Sequence, residues 1–302
     1  MSIVMDPSRP ILVTGGVGQL ATSLSNLGGH RVHRVGRPDF DFERPETIEA
    51  TLDVVKPAAV VNAAAWTAVD LAETEVSGAE AANRDGPALL AAACAARGLP
   101  FIHVSTDYVF SGDKGSPYLE TDPVSPATVY GRTKAEGEEL VMQADPQAII
   151  LRTSWVYSAH GKNFVRTMIN AGAKNPALKV VGDQRGNPTS SDDLAAAILQ
   201  ILTLIERDGW RDDYAGVYHA CGTGEATWHQ LAVFALQEAS SHGQAMPEVA
   251  AIATSDWPTP AKRPADSRMD NSKLVSVFGV SMPDWRASVS EVVTTLFSRP
   301  TG

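Results

Sequence analysis

The stretch PILVTGGVGQLA, residues 10–21, decides the fold of this chain. It begins as a short apolar run of the kind that forms a strand, and residues 19–27 continue with a helical pattern. Between the two stands the spacing Gly15-x-x-Gly18-x-x-Ala21. One glycine lets the turn tighten, and another lets phosphates approach the backbone where the helix offers free N–H groups. Strand, turn and helix in this order predict a phosphate-binding turn.

Short apolar runs and helical patterns alternate from this turn to about residue 154. The runs are continuous rather than alternating, which suits parallel strands covered on both faces. The sequence therefore predicts an α/β fold with a Rossmann-type doubly wound parallel sheet. The predicted strands are residues 10–14, 31–35, 58–62, 101–105 and 148–152, and the predicted helices are residues 19–27, 45–55, 75–97 and 130–143.

The pattern weakens after residue 154, where proline and glycine become frequent in residues 181–188 and 257–264. Helices are predicted near residues 192–207, 227–240 and 284–296. We expect residues 1–154 to form an NAD(P)-binding domain. Residues 155–302 form a smaller, less regular region that is mainly substrate-binding, with some segments returning to the first domain.

Composition narrows the functional classes. Of the 302 residues, 44% are hydrophobic and 20% charged, which is ordinary for a globular protein. A net charge of −10 argues against nucleic acid as a partner, since phosphate binding needs clustered Lys and Arg. Cys94 and Cys221 have no cysteine neighbours at metal-ligand spacing, so both are predicted to be packed thiols. No apolar run reaches membrane-spanning length, and we expect a cytoplasmic protein without membrane partners.

Three residues are candidates for proton transfer. Thr106 follows the fourth predicted strand, and Tyr130 and Lys134 stand four apart on one face of the next helix. A nearby ammonium lowers the pKa of a tyrosine from about 10, so Tyr130 can exchange a proton with a carbonyl oxygen. Thr106 would orient that oxygen. Lys134 would lower the pKa of Tyr130 or hold the nicotinamide ribose, and the sequence leaves the division between these roles open.

Two further segments bear on the cofactor. Arg37 follows the second predicted strand, where a guanidinium can pair with a 2′-phosphate, which favours NADPH and leaves NADH open. Asp41 would contact the adenine end instead. Ala63, Ala64 and Ala65 follow the third strand, and such small side chains let a flat cofactor lie close.

A series of ordered motifs resembles the dTDP-4-dehydrorhamnose reductases of the extended short-chain dehydrogenase/reductase superfamily. The resemblance runs from about residue 10 to about residue 297. It implies reduction of the C4 ketone of dTDP-4-dehydro-L-rhamnose by a nicotinamide cofactor, giving dTDP-L-rhamnose for cell-envelope polysaccharide. The motifs are VNAAAWTAVDLAE (61–73), STDYVFSG (105–112), P-x-x-x-YGRTKAEGE (126–138), LRTSWVYS (151–158), NFVRTM (163–168), DQRGNPTS (183–190) and KRPADSRMDNSKL (262–274).

The resemblance also implies positions for the site. It places Thr106, Tyr130 and Lys134 at catalytic positions. It also implies that Tyr130 and Lys134 contact the cofactor. To the implied substrate side we add Asp107, beside Thr106. Trp155 would pack on the sugar face, Asn163 and Gln184 would bond sugar or thymine, and Arg263 would meet the diphosphate. The implied cofactor positions are Gly15, Gly18, Gln19, Leu20, Asp41, Phe42, Ala63, Ala64, Ala65 and Ser105, and the implied substrate positions are Trp155, Asn163, Gln184, Gly186, Pro188 and Arg263.

The chain departs from the family pattern at two places. Ala21 stands where the family usually has glycine. Some members dimerise through a magnesium ion held by carboxylates, and Asp192, Asp193 and Glu291 lie near such positions, but Ser23 stands where another carboxylate would be. A hard cation prefers several charged oxygen ligands. We therefore expect no structural magnesium, and a monomer or a weak dimer.

Two alternative functions stay open. Another nucleotide-sugar short-chain enzyme, an epimerase or a 4,6-dehydratase, would want an acid–base carboxylate, and Asp107 stands beside Thr106. A non-catalytic NADP-binding subunit, similar to the regulatory subunit of methionine adenosyltransferase, would keep the fold and act through a partner. The intact set of Thr106, Tyr130 and Lys134 argues against the second alternative. No single residue of the sequence predicts whether the protein selects dTDP over UDP.

Overall fold

The computed structural model describes residues 5–298, so residues 1–4 and 299–302 of the two predicted regions lie outside the described residues. In chain order its strands are β1 (Ile11–Thr14), β2 (Val32–Arg34), β3 (Ala59–Asn62), β4 (Phe101–Thr106), β5 (Ile149–Thr153), β6 (Val156–Tyr157), β7 (Ala177–Val181), β8 (Arg185–Gly186), β9 (Thr189–Ser190), β10 (Gly216–His219), β11 (Ala226–Thr227) and β12 (Glu248–Ile252). Its α-helices are α1 (Gln19–Gly28), α2 (Glu46–Val55), α3 (Val69–Ala72), α4 (Val76–Glu80), α5 (Gly86–Arg97), α6 (Val129–Ala144), α7 (Phe164–Gly172), α8 (Ser191–Asp208), α9 (Trp228–Ser241), α10 (Ser272–Phe278) and α11 (Trp285–Ser298).

Six strands form one parallel sheet in the order β2-β1-β3-β4-β5-β10. Ile11 and Val13 of β1 belong to a core cluster shared with α1 and α8, whereas Leu12 belongs to one shared with α2 and α5. Both faces of the sheet are therefore covered, which is why its strands are apolar without alternation. The predicted Rossmann-type parallel sheet is confirmed.

The predicted helix over residues 75–97 is wrong in one respect, because a π-helical segment, Ala81–Asp85, separates α4 from α5. Within it Asn83 accepts a hydrogen bond from the backbone N–H of Trp66 at 2.8 Å and donates to the Trp66 carbonyl at 3.1 Å. Such wider turns occur where a side chain has a particular task. Here the task is to hold the segment that follows β3, and helix propensity carries no sign of it.

The region after β5 combines two kinds of structure. Three two-stranded sheets lie with α7, α9 and α11, around a cluster that includes the fully buried Trp285. In contrast, α8 packs on α1, and β10 joins the main sheet beside β5. The boundary at residue 154 stays a prediction.

The two cysteines are free and buried, as predicted. No helix within residues 5–298 is both long enough and apolar enough to cross a membrane.

Candidate functional site

A cleft of about 1420 Å³ opens at the carboxyl ends of the parallel strands. It lies where the sheet order turns back, between β1 and β3, which is the usual ligand position in doubly wound sheets. Seventeen of the residues selected from the sequence line it: Gly15, Gly18, Gln19, Leu20, Arg37, Asp41, Phe42, Ala63, Ala64, Ala65, Ser105, Thr106, Asp107, Tyr130, Lys134, Trp155 and Asn163. Four others, Gln184, Gly186, Pro188 and Arg263, lie outside its lining.

The glycine turn is shaped by backbone contacts that only glycine permits. Gly15 has φ +108°, and a Cβ there would lie 2.9 Å from the carbonyl oxygen of Ala63. The next residue, Gly16, has φ +54°, and a Cβ on Gly36 would lie 2.5 Å from its Cα. Gly18 is the N-cap residue of α1 and offers no side-chain cap, so the first amides of the helix are open to a phosphate. A diphosphate fits this cradle, which a single Cβ would fill.

Arg37 lies at the rim near the predicted adenine end. Its side chain is 63% exposed, and its Nε donates to Asp41 at 3.1 Å while a second nitrogen lies 3.5 Å from Glu43. Exposed ion pairs of this kind are worth about 1 kcal/mol or less. The guanidinium can therefore exchange these carboxylates for a 2′-phosphate at little cost.

Thr106 and Tyr130 lie within hydrogen-bond reach of each other in the lining of the cleft. Thr106 donates to Asp107 at 3.1 Å, and its hydroxyl also lowers the pKa of the Tyr130 phenol. Burial is the larger influence and raises the pKa of Tyr130 to about 12. The expectation that its pKa is lowered is wrong for this structure. A phenol with a raised pKa stays protonated at neutral pH, which is the form a proton donor needs.

Lys134 is almost fully buried beside this pair. Its Nζ donates to the carbonyl oxygen of Val104 at 2.7 Å and lies 3.2 Å from Nε2 of His103. Burial lowers the pKa of Lys134 to about 8. These two contacts hold the amine at the cleft, and His103 is a neighbour that the sequence analysis missed, because nothing distinguishes it from other histidines in buried strands.

Asp107 is a buried carboxyl group that joins the two parts of the chain. Its Oδ2 accepts a hydrogen bond from Ser267 at 2.5 Å, and Oδ1 accepts the bond from Thr106. Burial raises the pKa of Asp107 to about 6 although both hydroxyls lower it. It therefore titrates close to neutral pH, beside the proposed proton donor.

Trp155 lies on the opposite side of the cleft with φ +46°, a strained value for a residue with a side chain. Trp228 stacks on its indole with centroids 3.6 Å apart and planes 7° apart. Gly186 approaches the same indole so closely that an added Cβ would lie 2.5 Å from it. Because Trp228 occupies one face of the indole, Gly186 lies against the opposite face. Both faces are thus covered, so Trp155 presents an edge to the cleft, and the expected sugar-face packing needs revision.

Trp228 also lines the cleft and was missed by the sequence analysis. Its Nε1 donates to Gln184 at 3.1 Å, and Gln184 donates to Thr254 at 3.1 Å. Gln184 therefore fixes the stack from outside the cleft. An aromatic residue at the start of a helix is usually core, and only the contact with Trp155 distinguishes this one.

The other substrate-side residues are engaged within the protein. Asn163 caps α7 by accepting from the Arg166 N–H at 3.0 Å, and its amide donates to Gln19 at 3.1 Å. Arg263 pairs with Asp70 through two hydrogen bonds of 3.0 and 2.9 Å. Pro188 is buried.

Near the positions at which some family members hold magnesium, the side chains of this chain bond to hydroxyl groups. Ser23 is fully buried and shares a 2.7 Å hydrogen bond with Ser191. Asp193 accepts from Ser288 at 2.5 Å, and burial raises the pKa of its carboxyl. Between Met5 and Ser298, no cluster of three or more His, Cys, Asp or Glu side chains is arranged to hold a metal ion.

Comparisons with known proteins agree on one family. The model described as RmlD substrate binding domain matches residues 9–298. A dTDP-4-dehydrorhamnose reductase of Sinorhizobium fredii is 42% identical over 290 residues, which cover 95% of this chain and 97% of that protein.

Solved structures give the same answer. The crystal structure of a dTDP-4-dehydrorhamnose reductase from Clostridium acetobutylicum superposes with a TM-score of 0.86 at 36% identity, covering 95% of this chain and 99% of that one. The Bacillus anthracis dTDP-4-dehydrorhamnose reductase in complex with NADP also gives 0.86, at 29% identity and the same coverage. This chain belongs to the family of the dTDP-4-dehydrorhamnose reductases.

Proposed function

We propose that the protein reduces the C4 ketone of dTDP-4-dehydro-L-rhamnose to dTDP-L-rhamnose with NADPH as the preferred cofactor and NADH as the alternative. The observation that carries the proposal is the arrangement of one continuous cleft. The glycine turn forms a phosphate cradle in its lining, and Thr106 and Tyr130 line the same cleft. The relatives bear the name of this reaction, and one was solved with NADP.

The chain's own residues would supply binding, orientation and a proton. The bound nicotinamide supplies the hydride. Tyr130, protonated at neutral pH, donates its proton to the C4 oxygen. The Thr106 hydroxyl would turn its single hydrogen from Asp107 to that oxygen and so orient it by a second hydrogen bond. Lys134 holds the ribose from its buried position. The glycine turn and the three alanines after β3 set the depth of the cofactor.

Binding of an anionic substrate by a chain of net charge −10 needs a local cation. Arg263 is the candidate, and it must leave Asp70 to reach the diphosphate. We keep the monomer or weak dimer, the absence of structural magnesium and the cytoplasm as predictions.

The first test follows the absorbance of NADPH with enzymatically made dTDP-4-dehydro-L-rhamnose. We expect turnover by the wild type and a loss of at least roughly 100-fold in Tyr130→Phe, because that variant lacks the proton. Tyr108→Phe is the matched control, since Tyr108 contacts Tyr130 edge-to-face in the same cleft.

The outcomes separate the three functions. Product formed without net consumption of NADPH would contradict the proposal in favour of an epimerase or dehydratase, in which Asp107 serves as acid or base. A wild type that binds NADPH, turns over no sugar nucleotide and copurifies with a large partner would favour the regulatory subunit.

A further inference from the structure

The segment of residues 158–163 is held against the first turn of α1. The Asn163 amide nitrogen donates to Gln19 Oε1 at 3.1 Å and to the Ser158 carbonyl oxygen at 2.8 Å. The Nε2 of His160 lies 2.9 Å from the backbone carbonyl oxygen of Gln19, to which it donates. Gln19 is the first residue of the helix after the glycine turn. The segment is therefore fixed beside the helix end that offers its amides to a phosphate.

Lys162 is carried by this segment into the lining of the cleft. It stands between His160 and Asn163, which make the contacts with α1, and its own side chain is exposed. Gly161 comes so close to α1 that an added Cβ would lie 3.2 Å from Cγ of Gln19. The backbone of Lys162 is therefore fixed, whereas its flexible four-carbon stem lets the ammonium reach a ligand.

The other cations of the cleft already have partners. Arg34 donates to a threonine hydroxyl at 2.9 Å, and Arg37 pairs with Asp41. Lys134 donates to a backbone carbonyl oxygen at 2.7 Å. Among the Lys and Arg side chains of residues 5–298 that line the cleft, Lys162 makes neither a hydrogen bond nor an ion pair. Its charge is therefore available to a ligand without breaking a bond.

The glycine turn lacks a cation of its own. Residues 15–18 are Gly-Gly-Val-Gly and contribute no charged side chain. A helix N-terminus supplies roughly half an elementary charge, less than a diphosphate carries, and the net charge of −10 adds repulsion. A lysine ammonium binds a phosphate as a point charge. Lys162, fixed beside this turn, supplies the charge that the turn lacks.

We propose that Lys162 binds the diphosphate of the nicotinamide cofactor together with the first amides of α1. The inference rests on the cofactor part of the proposed function and not on its reaction. Two other phosphates compete for the assignment, the 2′-phosphate of NADPH and the diphosphate of the substrate. The first is expected beside Arg37, and the second beside Arg263, which lies outside the lining of the cleft. The cradle next to Lys162 favours the cofactor diphosphate over both.

The first experiment measures the affinities of wild type and Lys162→Met for NADPH and for NADH by fluorescence titration, without sugar nucleotide. Loss of one charge-assisted contact predicts about tenfold weaker binding. The loss should be equal for the two cofactors, because both carry the diphosphate, and it should shrink at high salt. A loss confined to NADPH would assign Lys162 to the 2′-phosphate, and an unchanged affinity would leave it without a cofactor contact. Either result would overturn the proposal.

Two variants separate a local contact from the charge of the whole chain. Lys162→Arg keeps a cation that binds phosphate and should restore most of the affinity. Lys174→Met removes the same charge from an exposed lysine beyond the other end of α7, outside the lining of the cleft, and should bind both cofactors as wild type does. An equal loss in Lys174→Met, or a loss in Lys162→Arg as large as in Lys162→Met, would contradict the proposal.

The second experiment uses the wild-type chain and needs no turnover. Acetic anhydride acetylates exposed lysines, and mass spectrometry measures the rate at Lys162 and at Lys174. Bound NADPH should protect Lys162 and leave Lys174 unchanged. Protection by dTDP, which carries the diphosphate of the substrate, without protection by NADPH would assign Lys162 to the sugar nucleotide and overturn the proposal. If NADPH protects Lys162 while no sugar nucleotide is reduced, the proposed reaction fails and the role of Lys162 stands.

Discussion

The glycine wall of the cleft, residues 15–18 and 63–65, consists of backbone at the ends of two neighbouring strands. The indole wall consists of the side chains of Trp155 and Trp228, with Gly186 packed behind Trp155 from outside the cleft, so it is built from three separate segments. The first wall is shaped by its glycines and by the short side chains of three alanines, and the second by what each side chain contacts. A substitution in the glycine wall should therefore act on the cofactor, and one in the indole wall on the sugar nucleotide.

The largest effect is expected for Gly15→Ala. The added Cβ would meet the Ala63 carbonyl at 2.9 Å in a backbone of φ +108°, so the turn must open. We expect NADPH affinity to fall at least roughly 100-fold, with about 1–3 kcal/mol lost from the free energy of unfolding. Fluorescence titration with NADPH and urea unfolding measure the two effects.

The control for Gly15→Ala is Gly243→Ala, at an exposed glycine with φ +93° and no atom within 4 Å of an added Cβ. It carries the same conformational strain without the collision. Equal losses of NADPH affinity in both variants would refute a steric role for the glycine wall.

The next effect concerns Asp107, a buried carboxyl group in the lining of the cleft. Its carboxyl has a folded pKa of about 6 against 3.8 in the unfolded chain, so the folded state binds more protons between these values. The free energy of unfolding therefore falls as pH rises from about 4 to about 6. Relative to wild type, Asp107→Asn should gain about 3 kcal/mol across this window.

Urea unfolding of both proteins at a series of pH values tests this sign and size. Parallel curves for wild type and Asp107→Asn would mean that the carboxyl ionises freely. In that case Ser267 and Thr106 compensate its burial fully.

The contrast between the walls also explains how much could be predicted from the sequence. The glycine spacing, the continuous apolar strands and the Tyr130–Lys134 pair are local patterns. They predicted the sheet correctly, and the residues they selected line one cleft. The stack of Trp155 on Trp228, the pairing of Asp70 with Arg263 and the position of His103 behind Lys134 join residues far apart in the chain. Spacing cannot reveal such contacts, and it also cannot show that burial outweighs charge at Tyr130.

A smaller effect is expected for Gly186→Ala in the indole wall. Its Cβ would lie 2.5 Å from the Trp155 indole and displace the stack on Trp228. We expect the KM for the sugar nucleotide to rise about tenfold, as for the loss of one good contact of about 1.4 kcal/mol. NADPH affinity should stay as in wild type, and tryptophan fluorescence should report the broken stack. A loss of NADPH affinity without a change in KM would contradict the assignment of the indole wall to the sugar nucleotide.

The smallest effect is expected for Asp70→Asn, outside both walls. Asp70 and Arg263 are partly exposed, so their bidentate pair is worth about 1 kcal/mol or less. Without the carboxylate, Arg263 is released for the substrate diphosphate, and we expect the KM to fall by up to about fivefold. The gain should vanish in Asp70→Asn combined with Arg263→Lys, because lysine lacks the bidentate fork. A KM that rises in Asp70→Asn would mean that Asp70 positions Arg263 instead of competing for it, and the pair would then form part of the substrate site.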